Sequence, residues 1–186
     1  MRPGADWRKF EFKREKFKAL LLYFSQRGLD ERLVIGSTKL NKLLFFADMR
    51  SYAELGEPIT GARYQKLPFG PAARAMLPVR QELVDLEEAE FEDRDPEDLN
   101  DVLVPRVKPD LELFTAQELR IANEVFEEMR RFNAKAISDF SHLKSAGWKV
   151  VDLHEDIPYE SAFIITDPPS AEAIERGREL AAKYSW

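Results

Sequence analysis

The segment Ser37-Thr38-Lys39-Leu40-Asn41-Lys42-Leu43-Leu44-Phe45-Phe46-Ala47-Asp48-Met49-Arg50-Ser51-Tyr52-Ala53-Glu54-Leu55-Gly56 is the part of the chain whose periodicity is clearest. Leu40, Leu43, Leu44, Ala47 and Ser51 recur at i, i+3, i+4, i+7 and i+11, which puts a mostly apolar stripe on one face of a helix. Phe45 and Phe46 widen that stripe, so the helix is expected to be buried on more than one side. It begins near Ser37 or Thr38 and ends before Gly56, a residue that readily takes positive φ. A helix of this kind at the centre of the sequence sets the expectation of a mainly α-helical fold.

The next sixteen residues, GEPITGARYQKLPFGP (56–71), hold three glycines and three prolines together with Ile59, Tyr64, Leu67 and Phe69. Gly56 and Gly61 allow sharp bends, while Pro68 and Pro71 push Leu67 and Gly70 toward extended backbone. Residues 62–67 are therefore expected to run extended across the helices. Tyr64 and Phe69 either pin this loop to the core or stay partly exposed on a stiff loop. Gly70-Pro71 has the form of a helix start, with proline at the first helical position. At Pro78 either one short helix ends and another follows, or a single helix kinks. Met76, Val79, Leu83 and Leu86 carry the apolar spacing on to about Glu88.

Other helices are expected over about Phe10–Arg27, stopped by Gly28, and from Thr115 to about Phe132. The latter opens with the T-x-x-E pattern of a capping box, Thr115-Ala116-Gln117-Glu118. A shorter helix is expected over Ala134–Lys144, with Gly147 past its end, and a last one from Ser170 to Tyr184 after Pro168-Pro169. Residues 85–101 hold ten acidic side chains and one basic one, Arg94, which reads as a solvated loop. Around it, Ala89–Phe91 and Val102–Val107 can pair as a small hairpin, with Pro105 confining its strand to an edge. The fold class is thus mainly α: a single compact multi-helix domain over residues 1–186 with a small β-hairpin or short extended strands.

Composition narrows the function. The chain has 186 residues, 44% of them hydrophobic, and a net charge of −6, which gives no general pull toward nucleic acid or anionic lipid. The absence of cysteine excludes disulfides, thiol catalysis and thiolate metal sites. The first residues, MRPGADWRKF, contain no signal-like apolar run, and no apolar run approaches membrane-spanning length; a soluble, cytoplasmic protein without membrane association is expected. No phosphate-binding glycine loop and no G-x-S-x-G elbow occurs. His154-Glu155 begins like a zinc-protease motif, but Pro158 stands where its second histidine belongs. Neither a catalytic role nor a cofactor nor a metal is expected.

Two clusters remain. Arg2–Lys18 carries seven basic and three acidic residues among Trp7, Phe10, Phe12 and Phe17. That pattern fits either phosphate contacts with base stacking or an amphipathic helix with its aromatics inside. His142 and Trp148, in SHLKSAGW, flank the end of the Ala134–Lys144 helix and are read as a structural pair or as contact residues.

Lys39-Leu40-Asn41-Lys42-Leu43-Leu44-Phe45-Phe46-Ala47-Asp48 resembles the K-L-x-K-L-L-[YF]-[YF]-A-D helix of the Panacea (SocA-like) antitoxin domain. Gly56, Pro58-Ile59, Tyr64 and Phe69-Gly70-Pro71 follow that family's next segment in order. Ser141-His142, Trp148 and Ile157-Pro158-Tyr159-Glu160-Ser161-Ala162 are similar to its C-terminal pattern. The resemblance is strongest over residues 20–163 and leaves the acidic, proline-containing insert 85–109 unmatched. It implies a helical module that neutralises a toxin by direct protein–protein contact, the toxin being encoded by a neighbouring gene in a bacterial or phage genome. It also implies, for some members, delivery of the toxin to a protease. On that basis Tyr64, Phe69, Gly70, Pro71, His142 and Trp148 are the expected partner-binding residues, nucleic-acid regulation through the N-terminal helix is the alternative, and the oligomeric state stays open.

Overall fold

The computed structural model describes residues 10–92, 102–164 and 175–176. Within them lie six α-helices and five short strands: α1 (Arg14–Asp30), α2 (Ser37–Leu55), β1 (Tyr64–Leu67), β2 (Gly70–Ala73), α3 (Met76–Asp85), β3 (Ala89–Glu92), β4 (Val102–Pro105), α4 (Ala116–Met129), α5 (Ala134–Lys144), α6 (Ala146–Val150) and β5 (Asp156–Ile157). Single 3-10 turns occupy Leu111–Leu113 and Tyr159–Phe163. The protein is mainly α-helical with a few short antiparallel strands. Apart from Glu175 and Arg176, which are helical, the expected Ser170–Tyr184 helix lies outside the described residues.

Helix α2 is the centre. It packs against α1, α4, α5, β2 and the Tyr159–Phe163 turn. Leu40, Leu43, Leu44 and Ala47 are completely buried, as the periodicity predicts, and Phe45 is buried too. Each fully buried leucine contributes about 1.5–3 kcal/mol. Gly56 ends the helix at φ +80°. Phe24 of α1 stacks on Phe126 of α4 with centroids 6.3 Å apart, closing the other side of the core.

Helix α1 departs from expectation at both ends. It starts at Arg14 rather than near Phe10, because the preceding residues are held by something else. The Lys13 N–H donates to the Thr60 carbonyl at 2.8 Å, and Phe10 packs edge-on against Tyr52 and Tyr159. Gly61 is needed there: at φ +66° a Cβ would lie 2.3 Å from the Glu11 carbonyl oxygen. Gly28 does not stop the helix. It lies inside it because Ile35 packs where a side chain would go, Cγ1 being 2.3 Å from an added Cβ. The chain reverses later, through Arg32 at φ +58°.

The larger correction concerns Gly70-Pro71. These residues open strand β2, not a helix. Strands β1 and β2 form an antiparallel hairpin with Leu67 opposite Gly70, so Pro68-Phe69 is its two-residue turn. Strand β5 pairs on the far edge of β1, giving a three-stranded sheet in the order β2-β1-β5. Helix α3 begins only at Met76, which places Pro78 in its first turn. Backbone N–H groups there have no intrahelical partner in any case, so proline neither ends nor breaks the helix.

Strands β3 and β4 pair as expected, with Pro105 opposite Ala89 at the end of the ladder. Part of the acidic insert is therefore structured: Ala89 and Leu103 reach the core, and β4 packs on α1. Residues 93–101 lie outside the described residues. The capping box of α4 is present, with Thr115 Oγ1 accepting from the Glu118 N–H and Glu118 Oε2 from the Thr115 N–H. Helix α5 spans the expected residues, and Gly147 lies past its end as expected, within the short helix α6.

Candidate functional site

The turn between β1 and β2 is stiff for identifiable reasons. Pro68 fixes its own φ, and Gly70 bends the chain at φ +103°. A Cβ at Gly70 would meet Ser141 Oγ at 2.4 Å and Lys42 Cε at 2.7 Å. Gly70→Ala is therefore expected to cost about 2 kcal/mol or more, from backbone strain and overpacking together. A chemical-denaturation midpoint within error of the wild type would contradict it.

The hairpin is braced from three directions. The Trp148 indole Nε1–H donates to the Leu67 carbonyl at 3.0 Å, and Lys66 Nζ lies 4.7 Å from the centre of the Trp148 ring. His142 stacks on Trp148 with ring centres 3.9 Å apart and a 12° tilt. Asp156 of β5 accepts from both Arg63 and Arg74, tying the two strands to the sheet edge. What these braces hold out is Phe69, which is 73% exposed.

Clefts open on both sides of the tip. One, of about 290 Å³, is lined by Ser37, Thr38, Lys42, Phe69 and Leu77 among others. The second, of about 610 Å³, lies between the turn and α5, with Lys135, Ser138, Asp139 and His142 in its walls. Phe69 belongs to both.

Beneath the hairpin is a polar hub. Asp48 is completely buried and accepts from the Thr60 N–H at 2.7 Å, the Thr60 hydroxyl, the Tyr64 hydroxyl at 2.8 Å and the Tyr159 hydroxyl at 3.2 Å. Burial raises the Asp48 carboxyl above its ordinary value, and the four hydrogen bonds oppose that rise. Burial, followed by the neighbouring Asp48 charge, pushes the Tyr64 and Tyr159 phenols well above theirs. The hub joins α2, the loop after it, the hairpin and the C-terminal 3-10 turn.

Two lysines of α2 are also inside. Lys39 Nζ donates to the Arg130 carbonyl, and Lys42 Nζ to the Pro71 carbonyl at 3.2 Å. Burial lowers both to about 8. Burial, with help from the Lys42 charge, also lowers His142. An unfolded lysine keeps its proton to about 10.4, so between these values the unfolded chain binds more protons than the folded one. Stability contributed by Lys42 is therefore expected to rise as pH increases from about 8 to about 10.4, by on the order of 2 kcal/mol. Denaturation of the wild type and Lys42→Met at pH 7.5 and pH 9.5, with pH-independent differences between them, would refute this.

Of the residues expected to bind a partner, the structure brings Phe69, His142 and Trp148 together at the surface, the latter two half-buried. Tyr64 is 1% exposed and faces Asp48, so it pins the hairpin and presents no contact surface. Gly70 and Pro71 are buried as well and act by shaping the turn. Lys42 and Asp48 lie in the stretch that resembles the family's helix but are not among the expected partner-binding residues. The described part of the N-terminal basic segment is occupied: Phe17 is in the core, Lys16 pairs with Glu118 at 2.6 Å, and Lys18 lies between Glu15, Glu82 and Glu88. No group of three metal-ligating side chains occurs among the described residues. No helix among them is long and apolar enough to cross a membrane.

Fold and site together define a helical domain built around a buried polar hub, with one aromatic turn held out into solvent. The family model described as "Antitoxin SocA-like, Panacea domain" matches residues 40–149, more than half of the chain. The chain belongs to that family, which supports a toxin–antitoxin role in general and implies a toxin as partner. No curated protein and no solved structure matches it.

Proposed function

We propose that this protein neutralises a protein toxin by direct, non-catalytic binding in the cytoplasm, using the Pro68-Phe69 turn as its main anchor. The observation that carries this reading is the exposure of Phe69 on a hairpin otherwise fixed by Trp148, Gly70 and Asp156. A large aromatic in solvent gains most by entering a pocket on a partner, and a preformed turn loses little conformational entropy in doing so. The clefts on either side accept the partner's flanking side chains. The toxin is encoded by a neighbouring gene, and the bound form is also the one an adaptor would hand to a protease.

The test is co-expression. The neighbouring open reading frame is expected to arrest growth alone, and this chain to restore growth and co-purify with it. A harmless neighbour, or arrest unrelieved with no complex formed, would overturn the proposal.

A further inference from the structure

We infer that the cleft between the hairpin and the start of α2 receives the C-terminal carboxylate of a partner protein chain, with Lys42 as counter-ion. The inference rests on the reading of the Phe69 face as a docking surface, and it names what docks there.

Lys42 is only 2% exposed, yet it lines this cleft. Its ammonium carries three protons, and among the described residues it donates one hydrogen bond, to the Pro71 carbonyl, and forms no ion pair. Buried charges in folded proteins are ordinarily paired. The cleft has no acidic residue among those that line it, although the whole chain carries a net charge of −6. Its local charge is thus opposite to that of the molecule.

The helix end adds to the same field. Helix α2 follows Gly36, which offers no side-chain cap, and has no acid in its first turn; Ser37 and Thr38 form part of the cleft wall. The N–H groups of such a turn favour an anion. Phe69 and Leu77, 73% and 72% exposed, both line the cleft. They offer apolar surface to a side chain next to the bound carboxylate.

A chain end fits this space better than an internal acidic residue does. At about 290 Å³ the cleft is at the small end of ligand sites. A terminal residue brings carboxylate and side chain on one unit and stops there, whereas an internal residue needs a way in and a way out. Capture of a terminal carboxylate is a recurring mode of peptide recognition.

The experiment is an NMR titration of the ¹³C-lysine-labelled protein with N-acetyl-Gly-Leu as free acid, as its amide, and with a C-terminally amidated peptide carrying an internal glutamate. The free acid is expected to give saturable shifts at the Lys42 ε-methylene and to bind at least about tenfold tighter than either amide, reflecting a charge-assisted contact. Lys42→Met should reduce the acid to the level of its amide. Phe69→Ala and Leu77→Ala, both at exposed positions, should weaken binding without unfolding, so the result does not depend on Lys42→Met folding. Equal binding of acid and amide, equal binding of the internal glutamate, or no saturable shift at Lys42 would overturn the inference. Failure here with toxin neutralisation intact removes only the carboxylate site. A harmless neighbouring protein removes only the toxin.

Discussion

Asp48→Ala is expected to lower the unfolding free energy by about 3 kcal/mol and the melting temperature by roughly 10 °C. The mechanism is the loss of one acceptor shared by several donors. Without the carboxylate, the Thr60 N–H and the Thr60 and Tyr64 hydroxyls lose a partner, and Tyr64 and Thr60 are inside the core. Each stranded buried donor costs about 1–3 kcal/mol, and relief from burying the carboxylate offsets part of the total. Tyr159 is cushioned, since its hydroxyl also donates to the Ala62 carbonyl at 2.7 Å. Tyr159→Phe is accordingly expected to cost less than Asp48→Ala. Calorimetry decides the matter: a loss under about 1 kcal/mol for Asp48→Ala would mean that the four-donor arrangement is not a stability hub.

Phe69→Asp should give the opposite profile, with stability within about 0.5 kcal/mol of the wild type and toxin neutralisation lost. Truncating a central aromatic anchor costs about 2–4 kcal/mol of binding, some 30- to 1,000-fold in affinity. An aspartate also places a negative charge at the edge of a cleft that Lys42 lines. Leu143→Asp is the control. Leu143 is exposed too, but lines neither cleft at the turn, and its substitution should leave neutralisation intact. Growth rescue and calorimetric titration both read this out. Equal effects of the two substitutions would place the contact elsewhere.

The helical frame was legible because it rests on local rules. Apolar spacing marks α2, the Thr115–Glu118 pattern marks the start of α4, and apolar residues around the charged run mark the β3–β4 hairpin. Gly70-Pro71 was misread because the same dipeptide suits a helix start or a bend into a strand. What decides between them is non-local: the pairing of β1 with β5, and the close fit of Gly70 against Lys42 and Ser141. The start of α1 was misjudged for a similar reason, since only the docking of Phe10 on Tyr52 and Tyr159 shows that the chain there is not helical.

The hub and the cleft floor were missed, although a signal for them was present. Phe45 and Phe46 implied that α2 is enclosed on more than one side. A helix enclosed that way cannot keep Asn41, Lys42 and Asp48 all in water, and the structure buries all three. Tyr64 illustrates the converse: of the two roles its side chain suits, pinning the loop or meeting a partner, it takes the first by donating to Asp48.

The braces of the Phe69 turn come from far along the chain, Trp148 from α6, Asp156 from β5 and Tyr159 from the turn that follows. During synthesis on the ribosome the hairpin residues emerge well before these partners, and long-range contacts form last. A nascent chain carries the aromatic tip long before it can hold it in place. The turn can be fixed only after Tyr159 has been made, so a chain interrupted before that residue carries Phe69 without its support.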